Sequence, residues 1–163
     1  MITYNTINSP IGKLGIETKS NALTKIEFLD TNVVTTLQTN PLITNITKQL
    51  EQYFTNPKYK FDLSLNPQGT KFQKRVWKIL RNIPSGSVET YGELAKRLNT
   101  SPRAIGNACR HNPIPIIIPC HRVIAKKSLG GYDGKQSGKL MDIKKWLLKH
   151  EMSLHNINFH SKA

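Results

Sequence analysis

Cys120 and His121 stand side by side in the run Ile116-Ile117-Ile118-Pro119-Cys120-His121-Arg122-Val123-Ile124. A thiolate is a strong nucleophile, and imidazole is the side chain suited to take its proton near neutral pH. The three isoleucines predict a short buried strand, ended by Pro119, which cannot donate to a sheet ladder. Such a strand would present the thiol from a rigid element. Neighbouring side chains point to opposite faces of a strand and do not meet on a helix. The pair therefore predicts a relay through water rather than direct contact. The other reading of a cysteine in an apolar setting is a small buried hydrophobe, and spacing alone does not separate the two.

Elements on both sides must position this pair. Residues 1–65 read as a small N-terminal domain. Ile2, Tyr4 and Leu14-Gly15-Ile16-Glu17 predict a hairpin around Ser9-Pro10 and Gly12, with a third strand from Leu23 to Leu29. Leu42, Ile46, Leu50 and Tyr53-Phe54 recur at helical spacing from Pro41 to Thr55, and Asn56-Pro57 stops that helix. Residues 66–151 form the second domain. Thr70 caps a helix whose apolar face is Phe72, Val76, Ile79 and Leu80 with Trp77, which is assigned to packing. Pro84 to Ser87 is a turn, and Val88 to Tyr91 an extended piece.

Gly92 to Leu98 and Pro102 to Arg110 have the shape of a helix-turn-helix, with Ser101 as cap and Pro102 at the first helical position. The second helix is rich in small residues, including Ala104 and Gly106. This fits either approach to a narrow groove or close helix packing, and the residues leave the two even. His111-Asn112-Pro113 breaks that helix. The basic, glycine-rich loop from Lys126 to Gly138 reads as a lid or as an ordinary surface loop. Met141 and Trp146-Leu147-Leu148 mark a closing helix that ends at Glu151, and residues 152–163 read as a tail. The expected class is α+β: a small N-terminal β-sheet domain with a helix, then a mainly helical domain with a helix-turn-helix and an active-site loop.

Twenty-four Lys and Arg against ten Asp and Glu give a formal +14, a charge that draws polyanions and gives salt-sensitive nucleic-acid binding. A merely basic composition, as an A/T-rich genome would encode, is the plainer reading. There is no long apolar stretch, and no basic start followed by an apolar run, so neither a membrane span nor a secretory signal is expected. Two cysteines cannot build a disulfide framework or a four-thiolate metal site. The expected location is the cytoplasm, associated with the nucleoid, or the nucleus for a eukaryotic source.

Pro119-Cys120-His121-Arg122-Val123 resembles the active-site signature of the O6-alkylguanine-DNA alkyltransferases, the methylated-DNA–protein-cysteine methyltransferases. Arg103-Ala104-Ile105-Gly106, seventeen positions upstream of the cysteine at Arg103, and Asn112-Pro113 fall at that family's spacing. So do Val88 to Ala95 and Trp146-Leu147-Leu148-Lys149-His150-Glu151. The resemblance spans about residues 67–151.

That resemblance implies repair of DNA by stoichiometric transfer of a methyl or small alkyl group from O6-alkylguanine to Cys120, ending in self-inactivation. It implies that the base is flipped from the duplex, with no cofactor and no metal. Cys120, His121, Glu151, Tyr91 and Asn112 would be the catalytic set. Glu151 would orient His121, Tyr91 would donate a proton toward guanine N3, and Asn112 would tie the backbone around the site. The second helix would enter the minor groove, with Ser101, Arg103, Ala104, Gly106 and Asn107 on DNA and Arg103 filling the gap in the stack. Pro119, Val123, Cys109, Tyr132 and Asp133 would line the substrate pocket. The partner would be double-stranded DNA, met by a monomer; whether O4-alkylthymine is also accepted stays open.

The chain departs from the family pattern in places. The span from Tyr91 to Arg103 is short, the loop from Tyr132 to Trp146 is long, and Asp133 stands where a small or hydroxyl residue is common. Cys109 takes an often apolar position, and the ligands of the zinc site found in some relatives are not evident. Two other classes fit parts of the sequence. A non-catalytic reader of alkylated guanine would lack Cys120, and a helix-turn-helix regulator would read bases with longer side chains.

Overall fold

The computed structural model describes residues 2–30, 38–128, 130 and 138–152, and the chain divides into two compact units, Met1–Gln68 and Gly69–Ala163. The calls on Leu129, Tyr132, Asp133 and the tail beyond Met152 lie outside the described residues.

The first unit is an antiparallel sheet of β1 (Ile2–Ser9), β2 (Gly12–Lys19) and β3 (Ala22–Leu29), in that order, with α1 (Pro41–Thr55) packed on it. Ser20 and Asn21 both take positive φ, 52° and 61°, the two-residue turn whose twist matches antiparallel strands. Leu14, Ile16, Leu23 and Ile26 of the sheet and Ile43, Ile46, Leu50 and Tyr53 of α1 are buried. Asn40 caps α1, accepting from the Ile43 N–H at 2.8 Å. The buried Gln49 exchanges two hydrogen bonds with the backbone of Asp62, at 2.9 and 3.0 Å, and pins the outgoing chain.

The second unit begins with α2 (Lys71–Leu80), which opens on a reciprocal cap between Thr70 and Gln73. Trp77 is buried, as packing predicts, and its indole N–H donates to the Ala108 carbonyl at 2.9 Å. This bond ties α2 to α4 (Pro102–Arg110), the second helix of the helix-turn-helix. The first, α3 (Tyr91–Leu98), starts one residue earlier than its sequence predicts. Thr90 caps it reciprocally with Glu93, and this draws Tyr91 into the first turn. Asn99 closes α3 in the left-handed conformation at φ 53°, and Ser101 caps α4.

Two features that position the site escape periodicity. β4 (Glu89–Thr90), which leads into Tyr91, pairs in parallel with β5 (Val123–Ile124), which follows the turn that carries Cys120, and so ties the two segments together. The isoleucine run is not a strand. Residues 114–118 form turns, closed by a hydrogen bond from Ile118 N–H to the Ile114 carbonyl at 2.9 Å, with Ile116 at φ 76°. A β-branched residue in the left-handed region is strained, by about 1–3 kcal/mol, and persists only where its surroundings enforce it. Ile114, Ile116 and Ile118 are all buried, so the apolar signal is genuine and only its period misleads. α5 (Lys139–Glu151) completes the unit. Among the described residues no helix is long and apolar enough to cross a membrane.

Candidate active site

Cys120 opens a single 3₁₀ turn, Cys120–Arg122, rather than ending a strand. Pro119 precedes it at φ −83°, ψ 65°, and the Cys120 N–H bonds back to the Ile118 carbonyl at 2.8 Å, an inverse γ-turn. Proline suits this position because its fixed φ is already that of the turn. The thiol is therefore swung off a tight loop, with 5% of the residue exposed.

Asn112 holds that loop. Its Oδ1 accepts from the Ile114 N–H at 2.9 Å, while its Nδ2 donates to the Ile118 carbonyl at 2.8 Å and to Cys120 Sγ at 3.1 Å. One side-chain amide thus replaces the ladder partners that a strand would have supplied. A donor aimed at sulfur also favours the ionised thiol.

On the other side of the turn His121 is fully buried. Its Nε2 lies 2.8 Å from Glu151 Oε2, at the last residue of α5. A carboxylate accepts, so Nε2 carries the hydrogen and Nδ1 presents a bare lone pair. That Nδ1 is buried with no hydrogen-bond partner among the described residues. Burial pushes the His121 pKa down, against the pull of Glu151, so the ring is neutral and basic at Nδ1. Glu151 is tied twice more, by Arg122 Nε at 2.8 Å and Arg122 Nη2 at 2.9 Å, and Arg122 Nη1 donates to the Ile83 carbonyl at 2.6 Å. Burial by itself would raise the Glu151 carboxyl. His121 and the two-pronged guanidinium outweigh it and hold the group well below the usual carboxylate range.

Tyr91 sits between two glycines. A Cβ at Gly130, which has φ 73°, would meet Tyr91 Cε2 at 2.9 Å and the Ala125 N at 3.2 Å, so only glycine fits there. A Cβ at Gly106 would meet the ring only at 3.9 Å, an ordinary contact. Close packing within the chain therefore does not require glycine at 106. Burial raises the Tyr91 hydroxyl pKa strongly, and the thiols of Cys109 and Cys120 raise it further, so it remains a proton donor.

Two residues of the cluster went unassigned in the sequence. Arg122 lies inside the signature itself. Lys144 is wholly buried on α5, and its Nζ donates to the Val123 carbonyl at 2.8 Å. Burial lowers its pKa to about 8, while the thiols of Cys120 and Cys109 pull it up. A signal was present. Met141, Lys144, Leu148 and Glu151 fall on one helical face, so a lysine at 144 must enter the apolar side.

The remaining predicted residues fall in two groups. Pro119, Val123 and Cys109 are buried around the turn, and burial pushes the Cys109 thiol well up. Arg103 and Asn107 are exposed on α4, Ala104 and Gly106 are half-buried, and the Ser101 hydroxyl accepts from the Ala104 N–H at 3.1 Å. Among the described residues no group of His, Cys, Asp and Glu is placed to hold a metal.

Comparison with known proteins gives the family of the chain. The family model "6-O-methylguanine DNA methyltransferase, DNA binding domain" matches residues 71–153, and that family's "ribonuclease-like domain" matches residues 2–67. The methylated-DNA–protein-cysteine methyltransferase of Methanosarcina mazei is 41% identical over 155 residues, covering 91% of this chain and 96% of that protein. That of Mycobacterium tuberculosis (strain H37Rv) is 42% identical over 141 residues, covering 82% and 86%. The crystal structure of Mycobacterium tuberculosis OGT in complex with DNA superposes with a TM-score of 0.78 at 40% identity, covering 92% of each chain. Two matched domains in series and relatives aligned over most of their length leave one placement: the chain belongs to the 6-O-methylguanine DNA methyltransferase family.

Proposed function

We propose that the protein removes a methyl or small alkyl group from the O6 atom of guanine in duplex DNA by moving it to Cys120. The observation that carries this reading is the buried chain Glu151–His121. A clamped carboxylate fixes the ring so that an unprotonated Nδ1 is left next to the thiol's own turn. A free thiol near pKa 8.5 is only a few per cent ionised at pH 7. His121 Nδ1 takes the Cys120 proton through a water, Glu151 stabilises the imidazolium, and Asn112 Nδ2 and the Lys144 charge favour the sulfur anion.

The sulfur then attacks the alkyl carbon. The S–C bond forms, the C–O6 bond breaks, and its electron pair returns to the purine as Tyr91 donates a proton toward N3. The imidazolium then returns its proton through water to the Tyr91 phenolate, so that overall the thiol's proton ends on guanine. A thioether is a poor leaving group, so each molecule reacts once and no cofactor takes part.

A base inside a duplex is out of reach of a recessed sulfur, so it is extruded at a cost of a few kcal/mol. The face of α4, where Arg103 and Asn107 are exposed beside the half-buried Ala104 and Gly106, suits the minor groove, and Arg103 fills the space left in the stack. The absence of any packing need for glycine at 106 supports an approach from outside. The protein works as a monomer, in the cytoplasm at the nucleoid or in a nucleus.

Incubation with an O6-methylguanine duplex should add one methyl mass to the Cys120 peptide and to no other, in a one-to-one yield. Cys120→Ala should bind the same duplex and transfer nothing. A methyl group on Cys109, or turnover beyond one equivalent, would overturn the reading. Arg103→Ala should slow transfer from duplex far more than from the free base; equal losses would exclude the stacking role.

A further inference from the structure

The charge of the chain is divided very unequally. The unit from Gly69 onward holds eighteen of the twenty-four Lys and Arg and five of the ten acidic residues, a net +13, while the first unit has six against five, +1. The helix-turn-helix accounts for only part of this: Lys96, Arg97, Arg103 and Arg110, with Arg97 already paired to Glu89 at 3.0 Å.

A second concentration lies on α2. Lys71, Lys74, Arg75 and Lys78, with Arg81 at the C-cap, are all exposed, whereas Val76, Trp77 and Leu80 are buried. The spacings of three and four place the five on one face, a row about 15 Å long. No acidic residue occurs between Asp62 and Glu89. Among the described residues none of the five side chains makes a hydrogen bond or ion pair. Like charges three and four apart repel, and the cation at Lys71 opposes the helix dipole. Lys78 and Arg81 gain from the dipole at the other end, but among the described residues no acidic side chain pairs with any of the five.

We propose that this face of α2 is a second docking surface for the DNA phosphate backbone, taking the strand that flanks the segment engaged by α4. The proposal rests on the reading that α4 engages DNA. Its occupant follows from charge and placement. Five unpaired cations in a row complement a run of phosphates, whose neutralisation releases counterions. The Trp77–Ala108 bond sets α2 directly beside α4, at an axial separation of about 8–10 Å for packed helices, within reach of one duplex. The row would hold the protein on undamaged DNA while α4 samples bases.

The test compares three proteins on an unmodified duplex of about 30 base pairs, titrated from about 50 to about 200 mM salt. They are the wild type, the α2 variant Lys74→Gln/Arg75→Gln/Lys78→Gln, and the first-unit control Lys48→Gln/Lys58→Gln/Lys60→Gln. All six positions are exposed, so both variants should fold. At about 0.9 per phosphate, the slope of log affinity against log salt should flatten by about 2–3 in the α2 variant, which makes its deficit about 40-fold larger at the low-salt end. The control should keep the wild-type slope. An unchanged slope in the α2 variant overturns the proposal, and so does an equal drop in the control, which would mean bulk charge alone. Transfer from the free O6-methylguanine base should be the same in all three. Its failure in the wild type would remove the proposed reaction and leave the salt result standing.

Discussion

The two units bury polar groups of different kinds. Among the described residues, the buried polar side chains of the first unit are Thr18, Thr24 and Gln49, all neutral; those of the second are Asn112, His121, Lys144 and Glu151. Gln49 does for the first unit what Asn112 does for the second: an amide side chain satisfies the backbone of a segment without regular structure. The likeness ends at the sulfur. Asn112 spends one more contact on Cys120, and behind it stand three ionisable groups in a space that disfavours charge. A neutral buried amide is explained by packing alone. Buried ionic groups stabilise less than an apolar core would, so their presence calls for another reason, and here they converge on one turn.

The largest expected effect comes from breaking the ionic side of the comparison. Glu151→Ala takes the carboxylate from His121 and leaves the Arg122 guanidinium with only the Ile83 carbonyl among the described residues. Removing one partner of a buried pair destabilises by about 3–5 kcal/mol, to be measured by denaturant unfolding. A loss under about 1 kcal/mol would show that the cluster is solvated and that the contrast between the units is false.

The two amides sharpen it next. Asn112→Ala and Gln49→Ala each remove buried hydrogen bonds, at about 0.5–1.5 kcal/mol per bond, so both should destabilise by about 1–4 kcal/mol. Only Asn112→Ala should also slow alkyl transfer from the free base, by tenfold or more at a temperature where both variants are folded. Equal transfer rates would reduce Asn112 to the same scaffolding role as Gln49.

Acid should separate the units as well. The folded-state pKa of His121 is depressed, so below about 6.5 the unfolded chain binds the extra proton and stability falls with pH. Glu151 is depressed too, so its contribution is present above about 4.5 and lost below. Both act in one direction. Stability should decline from about pH 6.5 downward, and His121→Gln should delay the decline until about pH 4.5. An unaltered acid limb in that variant would mean that the ring is charged at rest, and so no base.

Helix starts are legible at Thr70 and Ser101, caps that each accept from the backbone three residues on, and α1 starts at Pro41 as its spacing predicts, with Asn40 capping it unannounced. Thr90 is the cap the sequence reading passes over, and α3 starts one residue early for that reason. The isoleucine run was legible as core and illegible as shape. Its turn depends on Ile116 at positive φ and on Asn112, a residue four positions upstream, and neither leaves a period in the sequence. The β4–β5 pair is two residues long on each side, too short for alternation to register. Arg122 and Lys144 were passed over for a different reason. Charged residues are read as solvent-facing by default, and only the helical register of Lys144 contradicts that.

The smallest structural effect carries the sharpest question. Lys144→Met keeps the length of the side chain and removes a buried cation, so stability should move by no more than about 1 kcal/mol and in either direction. The chemistry should move more. With its pKa lowered to about 8, Lys144 is charged at neutral pH and faces two thiols. If its charge favours the Cys120 anion by about one pKa unit, its loss slows transfer about tenfold at pH 7. Raising the pH should then separate cause from coincidence. The wild type gains thiolate but loses the lysine charge above about 8, and its rate should level off there. Lys144→Met has no charge to lose, so its rate should keep climbing and approach the wild type in alkali. Parallel pH profiles for the two proteins would confine Lys144 to bracing the Val123 carbonyl, and would leave Asn112 and His121 to activate the sulfur between them.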